Sequence, residues 1–136
     1  MASGTGRRLF RRIGAPAAYY GFIYFLSSRS SFPVEAPFQG FDKLAHLGLF
    51  GVFGLLLSWA LSEPGKRPAA SRMALAFLLG ALGGALDEIH QIFVPGRSAE
   101  VWDAAADMAG TGAGVLLGAL LRARGVRTRL KKMKTP

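Results

Sequence analysis

The chain has no cysteine, which removes disulfides, thiolate metal sites and cysteine nucleophiles from consideration. It is also poor in acid, with 8 Asp and Glu against 17 Lys and Arg and a formal net charge of +9. Such an excess of base ordinarily points to nucleic acid. Here the basic residues flank apolar blocks instead of lining a polar face, so no nucleic-acid partner is expected. Charge is scarcest in four stretches, Ile13 to Leu26, Leu44 to Leu61, Met73 to Leu86 and Met108 to Leu121. The overall hydrophobic content of 51% is near the soluble average, so the segregation carries the information.

Crossing about 30 Å of hydrocarbon at about 1.5 Å per residue takes about 20 residues. The blocks therefore predict transmembrane helices over about 9–28, 43–61, 70–93 and 101–121. The first is short and must borrow Leu9 to Arg12, whose arginines can snorkel to the headgroups. A cleavable signal peptide is the alternative for this block, but Val34-Glu35-Ala36 is followed by Pro37, which disfavours cleavage. Arg7 and Arg8 suit a cytoplasmic anchor better than a twin-arginine export signal. Residues 29–42 contain Pro33, Pro37 and Gly40 and are expected to form a loop. Phe32, Phe38 and Phe41 place that loop along the bilayer interface or over the end of the bundle. Gly80 and Gly84, and Gly110, Gly114 and Gly118, recur at spacings of four, which predicts that spans three and four are neighbours. A homodimer face is the alternative use of the same stripe.

Four spans put both termini on one side. Arg7, Arg8, Arg11, Arg12, Lys66, Arg67, Arg72, Arg122, Arg124, Arg127, Arg129, Lys131, Lys132 and Lys134 then share that side, 14 of the 17 basic residues. By the positive-inside rule it is cytoplasmic. The expected fold is an all-α membrane protein, a four-transmembrane-helix bundle with N and C termini cytoplasmic. Residues 1–12 form a basic N-terminus, 13–121 the membrane domain and 122–136 a basic tail. Arg29, Lys43 and Arg97 fall on the other side with every acidic residue except Glu63.

Depth makes those polar residues informative. Asp87 lies about 21 Å along a helix starting at Met73, and Asp107 about 9 Å below Val101, with His46 at similar or smaller depth. A charge at the bilayer centre costs about 2–3 kcal/mol on insertion scales, so such groups usually face a polar cavity and mark function. Spacings of three and four set Lys43 with His46, Asp87 with His90 and Gln91, and Asp103 with Asp107 on shared faces. Asp87, His90 and Gln91 form the expected inner face, with Glu88 at its edge or towards the loop. Carboxylates beside an imidazole suit general acid–base work. The same set, His46, His90, Asp87, Glu88, Asp103 and Asp107, could alternatively hold a divalent metal, although no two-histidine helical pair is present. Lys43 and Arg97 suit a phosphate or carboxylate on a lipid. Mutual satisfaction that merely fixes the bundle, and a proton or ion relay, stay open beside these readings.

Asp42-Lys43-Leu44-Ala45-His46, Asp87-Glu88-Ile89-His90-Gln91-Ile92-Phe93-Val94-Pro95-Gly96-Arg97, and Asp103 with Asp107 and Gly110 together resemble the VanZ-like family over about residues 40–120. Asp107 stands where many relatives have Asn, and Phe50 where a Tyr is common. The resemblance implies a multi-pass protein of the bacterial plasma membrane and cell envelope, in a family named for a protein linked to teicoplanin resistance. It implies no settled reaction. On this reading His46 and Asp87 are the acid–base pair, with Glu88 and Asp107 as supporting carboxylates. Asp42, Lys43, His90, Gln91, Arg97 and Asp103 contribute to binding. The expected partner is a membrane lipid or lipid-linked envelope precursor met on the extracytoplasmic side. A non-catalytic scaffold and a small proton- or ion-coupled transporter are the alternatives.

Overall fold

A computed structural model describes residues 4–30 and 38–134, which form four helices and no strand. They are α1 (Gly4–Ser27), α2 (Phe41–Leu61), α3 (Ala70–Ile92) and α4 (Val101–Lys134). Residues 31–37, with Phe32 and the Val34-Glu35-Ala36 site, lie outside the described residues, as do the side chains of Arg7, Arg8, Arg11, Lys131, Lys132 and Lys134.

Prolines and glycines set the helix ends. Pro64-Gly65 and Pro95-Gly96 follow α2 and α3, and Gly65 (φ 76°) and Gly96 (φ 79°) hold the left-handed backbone that other residues rarely adopt. The helices alternate in direction. Arg12 Nη1 donates to the Ser62 carbonyl at 2.7 Å and Arg122 Nη1 to the Glu63 carbonyl at 3.0 Å, which gathers the early part of α1, the end of α2 and Arg122 at one end. Ser27, His46, Asp87 and Asp107 meet at the other. α4 runs unbroken to Lys134, 34 residues or about 51 Å, so the basic tail continues the last helix.

The helices are apolar outside and polar within at one end. Leu78, Leu82, Ile92, Phe93, Trp59 and Leu44 all expose more than half of their surface. Meanwhile His46, Asp87, Glu88, Gln91, Asp103, Asp107 and Thr111 are buried. Such an outer surface is costly in water and suits hydrocarbon. α2, α3 and the Val101–Leu130 part of α4 are long and apolar enough to cross a membrane, with mean hydropathies of 1.9, 1.3 and 1.5. Among the described residues these are the three; α1 carries four arginines in its first half. It packs on α2 and α3 through Ile23 and through Tyr20, which stacks on Phe53 at 5.2 Å and donates to the Gly83 carbonyl at 2.9 Å.

Small residues bring two of these helices into backbone contact. A Cβ added to Gly110 or Gly114 would collide with the backbone carbonyls of Leu47 and Gly51, and one on Gly54 with that of Thr111. The α4 glycine stripe therefore serves α2 most closely. On α3, Gly80 and Gly84 instead form sockets for the side chains of Thr111 and Asp107. α3 and α4 do touch, as the glycine spacing predicts, but the closest seam lies between α2 and α4.

Two outcomes follow from this packing. Gly114→Ala should lower the thermal midpoint in detergent, at a cost of about 1–3 kcal/mol for overpacking. Gly48→Ala, where an added Cβ meets nothing within 4 Å, should leave the midpoint unchanged or raise it slightly. At the Arg12 end, Lys66 (Nζ to Oε2 2.5 Å) and Arg72 hold the Glu63 carboxyl down at about 2 against an ordinary 4.5. A carboxyl depressed on folding stabilises above its unfolded pKa, so this contribution is complete above about pH 4.5 and lost as pH falls towards about 2. Thermal midpoints measured across that window should fall less steeply for Glu63→Gln than for the parent chain.

Candidate functional site

At the end of the molecule opposite Arg12, three helices bring ionisable side chains together. His46 sits in the second turn of α2 and Asp107 in the second turn of α4, while Asp87 and Glu88 belong to the last turns of α3. One donor atom from each of the four lies within 4.8 Å of the other three. All four residues are buried, Asp107 to 0% and Asp87 to 1% exposure.

Helical periodicity explains the convergence. α3 buries Gly80, Gly84 and Glu88 at steps of four, and Gly83, Asp87 and Gln91 at the same step alongside. The glycines leave room beside the upper part of the helix, and the carboxylates continue the same stripes to its end. Gly84 is required by its neighbour, since an added Cβ would stand 2.8 Å from the Asp107 Cβ. The α2–α4 backbone contact then carries His46 to Asp107.

Hydrogen bonds fix most of the donors and acceptors. His46 Nδ1 lies 2.9 Å from Asp107 Oδ1, a bond between α2 and α4. Asp87 Oδ2 accepts from Ser27 Oγ on α1 and from Gln91 Nε2, each at 2.9 Å. Gln91 Oε1 accepts from Arg97 Nη2 at 2.8 Å, and the Glu100 backbone N–H donates to Glu88 Oε2 at 2.8 Å. One oxygen of each carboxylate remains buried without a hydrogen-bond partner: Asp87 Oδ1, Glu88 Oε1 and Asp107 Oδ2. Thr111 Oγ1, one turn along α4 from Asp107, is in the same condition.

A second acidic group lies beside the first. Lys43 Nζ stands 2.8 Å from Asp42 Oδ2, 2.9 Å from Glu100 Oε2 and 3.1 Å from Asp103 Oδ1. The Asp103 contact is close enough for an ion pair, although that oxygen makes no hydrogen bond. Among the described residues no lysine or arginine ion pair reaches Asp87, Glu88 or Asp107.

A cleft of about 30 Å³ borders the buried cluster, lined among others by Ser27, Asp42, His46, Phe50, Asp87 and Arg97. That is about the volume of one water molecule. A concavity of about 510 Å³ at the other end, lined by Trp59, Pro64, Leu121 and Arg122, is far larger but offers no acid–base pair.

Of the residues expected from sequence, His46, Asp87, Glu88 and Asp107 converge. Gln91 joins them through Asp87, and Arg97 through Gln91, while Asp42 reaches the cleft wall. Lys43 and Asp103 belong to the neighbouring ion cluster, where the ammonium is engaged by carboxylates. His90 stands apart: its Nε2 is 2.9 Å from Ser28 Oγ and its ring centre 4.2 Å from that of Tyr24, both on the α1 side. Glu88 thus takes the inward place that the spacing gave to His90. Extending the Gly80–Gly84 step by four would have found it. Ser27, Thr111 and Glu100 were missed, and only Ser27, a hydroxyl closing an aromatic helix, left a trace in the pattern.

The sequence model of the VanZ/LLP1 family matches residues 7–122, which takes in α1 as well as the motif-bearing helices. No curated protein sequence and no solved structure matches the chain.

Three carboxylates in such confinement repel one another when ionised. Glu88→Gln keeps an acceptor for the Glu100 N–H and removes one charge. In chelator-treated detergent it should raise stability by about 0.5–2 kcal/mol, read as a higher thermal midpoint. Glu88→Ala, which strands that N–H, should not.

Proposed function

The chain belongs to the VanZ/LLP1 family, and from that premise we propose a four-span protein of the bacterial plasma membrane whose polar cleft faces away from the cytoplasm and recognises, and by proton transfer modifies, a lipid-linked or peptidoglycan-related envelope group. Both termini are cytoplasmic in this reading. Arg12, Lys66, Arg67, Arg72 and Arg122 collect at one end with the α2–α3 connection, which supports that orientation through the positive-inside rule.

The observation that carries the function is the enclosure of His46, Asp87, Glu88 and Asp107 beside a water-sized cleft at a helix-bundle end. Asp107 orients the His46 ring through Nδ1, which assigns proton exchange to Nε2. Asp87, fixed by Ser27 and Gln91, is the second acid–base group. Arg97 on the cleft wall supplies charge for an anionic head group. A lipid-anchored substrate would reach this site laterally, so its chemistry would be performed at the membrane surface. Alteration of a wall precursor there would change susceptibility to glycopeptides such as teicoplanin.

A scaffold role is favoured by one contact, Ser27 to Asp87, which ties α1 to α3. The two readings part on stability. In cells deprived of their own copy, the parent gene should restore envelope integrity and teicoplanin response, whereas His46→Ala and Asp87→Asn should each fail while staying folded, Asp87→Asn with a thermal midpoint at or above the parent's in chelator-treated detergent. Full restoration by both variants would sink the proposal. Failure accompanied by collapse of the midpoint would favour the scaffold.

A further inference from the structure

We infer that His46, Asp87, Glu88 and Asp107 hold a divalent transition-metal cation. The two acidic groups at this end of the molecule invite comparison. Asp42, Glu100 and Asp103 surround the Lys43 ammonium at 2.8–3.1 Å, so that group already has its cation and is partly open to solvent. The inner group is buried, Asp87 and Asp107 almost completely, and no lysine or arginine ion pair reaches it among the described residues. Instead Asp87 Oδ1, Glu88 Oε1 and Asp107 Oδ2 are unpartnered within a cluster whose four donor atoms all lie within 4.8 Å of one another.

Geometry and chemistry agree on the class of ion. Donors roughly 2.1 Å from a cation stand about 3.4 Å apart in a tetrahedron and about 3.0–4.2 Å apart in an octahedron, so a set already within 4.8 Å of one another closes on a cation by side-chain shifts of about an ångström or less. Three carboxylate oxygens with one imidazole nitrogen suit Mn²⁺, Fe²⁺ or Zn²⁺ better than the all-oxygen shells preferred by Mg²⁺ and Ca²⁺. Asp87 and Glu88 come from one helix, His46 and Asp107 from two others, so the cation would tie α2, α3 and α4 together. The adjoining cleft of about 30 Å³ has room for one coordinated water or one ligand oxygen. Further donors are already arranged around the ligands: Ser27 and Gln91 on Asp87, and the Glu100 N–H on Glu88.

The inference deepens the reading of this cluster as a functional site and rests on it for the cation's use, though not for its binding; with His46 and Asp87 engaged as ligands, the proton exchanged would be that of a water or substrate oxygen held in the adjoining cleft. A cation there would also offset the negative charge that otherwise opposes an anionic head group at Asp87 and Glu88.

Full-length protein in detergent, stripped with EDTA and dialysed, would be titrated with MnCl₂ while free Mn²⁺ is followed by electron paramagnetic resonance. One Mn²⁺ per chain should bind, raise the thermal midpoint and be displaced by ZnCl₂. Glu88→Gln and Asp107→Asn should each weaken binding by about 10–100-fold. Glu100→Gln, which alters only the Lys43 group, should bind like the parent. Absence of stoichiometric binding to the folded parent chain, or equal binding by Glu88→Gln and Asp107→Asn, would overturn the metal site. Loss of the envelope phenotype in His46→Ala beside a parent chain that binds no Mn²⁺ would remove the metal and leave the proposed function. Stoichiometric binding with a fully retained phenotype in His46→Ala and Asp87→Asn would do the reverse.

Discussion

The costliest feature of this molecule is the meeting of Asp87, Glu88 and Asp107 in a buried space beside His46. Placing one ionised group in hydrocarbon costs about 2–3 kcal/mol on insertion scales, and like charges at close range add to that. Much of the surrounding structure can be understood as what lets these groups coexist. Gly84 yields the volume that Asp107 fills, and Gly110 and Gly114 let α4 approach α2 until His46 reaches Asp107. Ser27 closes α1 on Asp87, which gives the arginine-rich first helix a defined place against α3.

The division of the surface follows from the same constraint. Polar groups are concentrated inside one end, so the outer faces of α2, α3 and the first two thirds of α4 are mostly apolar between their ends. At the other end arginines bind backbone carbonyls of the α2–α3 connection, as Arg12 does to Ser62 and Arg122 to Glu63. One end is therefore basic and the other carries most of the acid.

The helices were legible in the sequence because hydrocarbon demands long uncharged runs, and Pro64-Gly65 and Pro95-Gly96 punctuate them. Motif spacing also brought His46, Asp87 and Asp107 into view from three different helices. Rotation of α3 was less legible. Asp87, Glu88, His90 and Gln91 are too close in sequence for spacing alone to choose between Glu88 and His90, and the deciding information lay two turns earlier in Gly80 and Gly84. The pairing of α4 with α2 was hidden for a similar reason. A small-residue stripe shows that a helix is closely approached but does not say by which neighbour. Thr111 escaped notice because its buried hydroxyl lies in an otherwise apolar run.

Mutual repulsion between acids carried by different helices acts across the buried cluster. A double-mutant cycle measures it directly: thermal or denaturant stability in chelator-treated detergent for the parent chain, Asp87→Asn, Asp107→Asn and the pair. Repulsion shared by both singles is relieved only once, so the double variant should gain less than the sum of the singles by at least about 0.5 kcal/mol. Gains that add within about 0.3 kcal/mol would place the two carboxylates in separate surroundings and contradict the site.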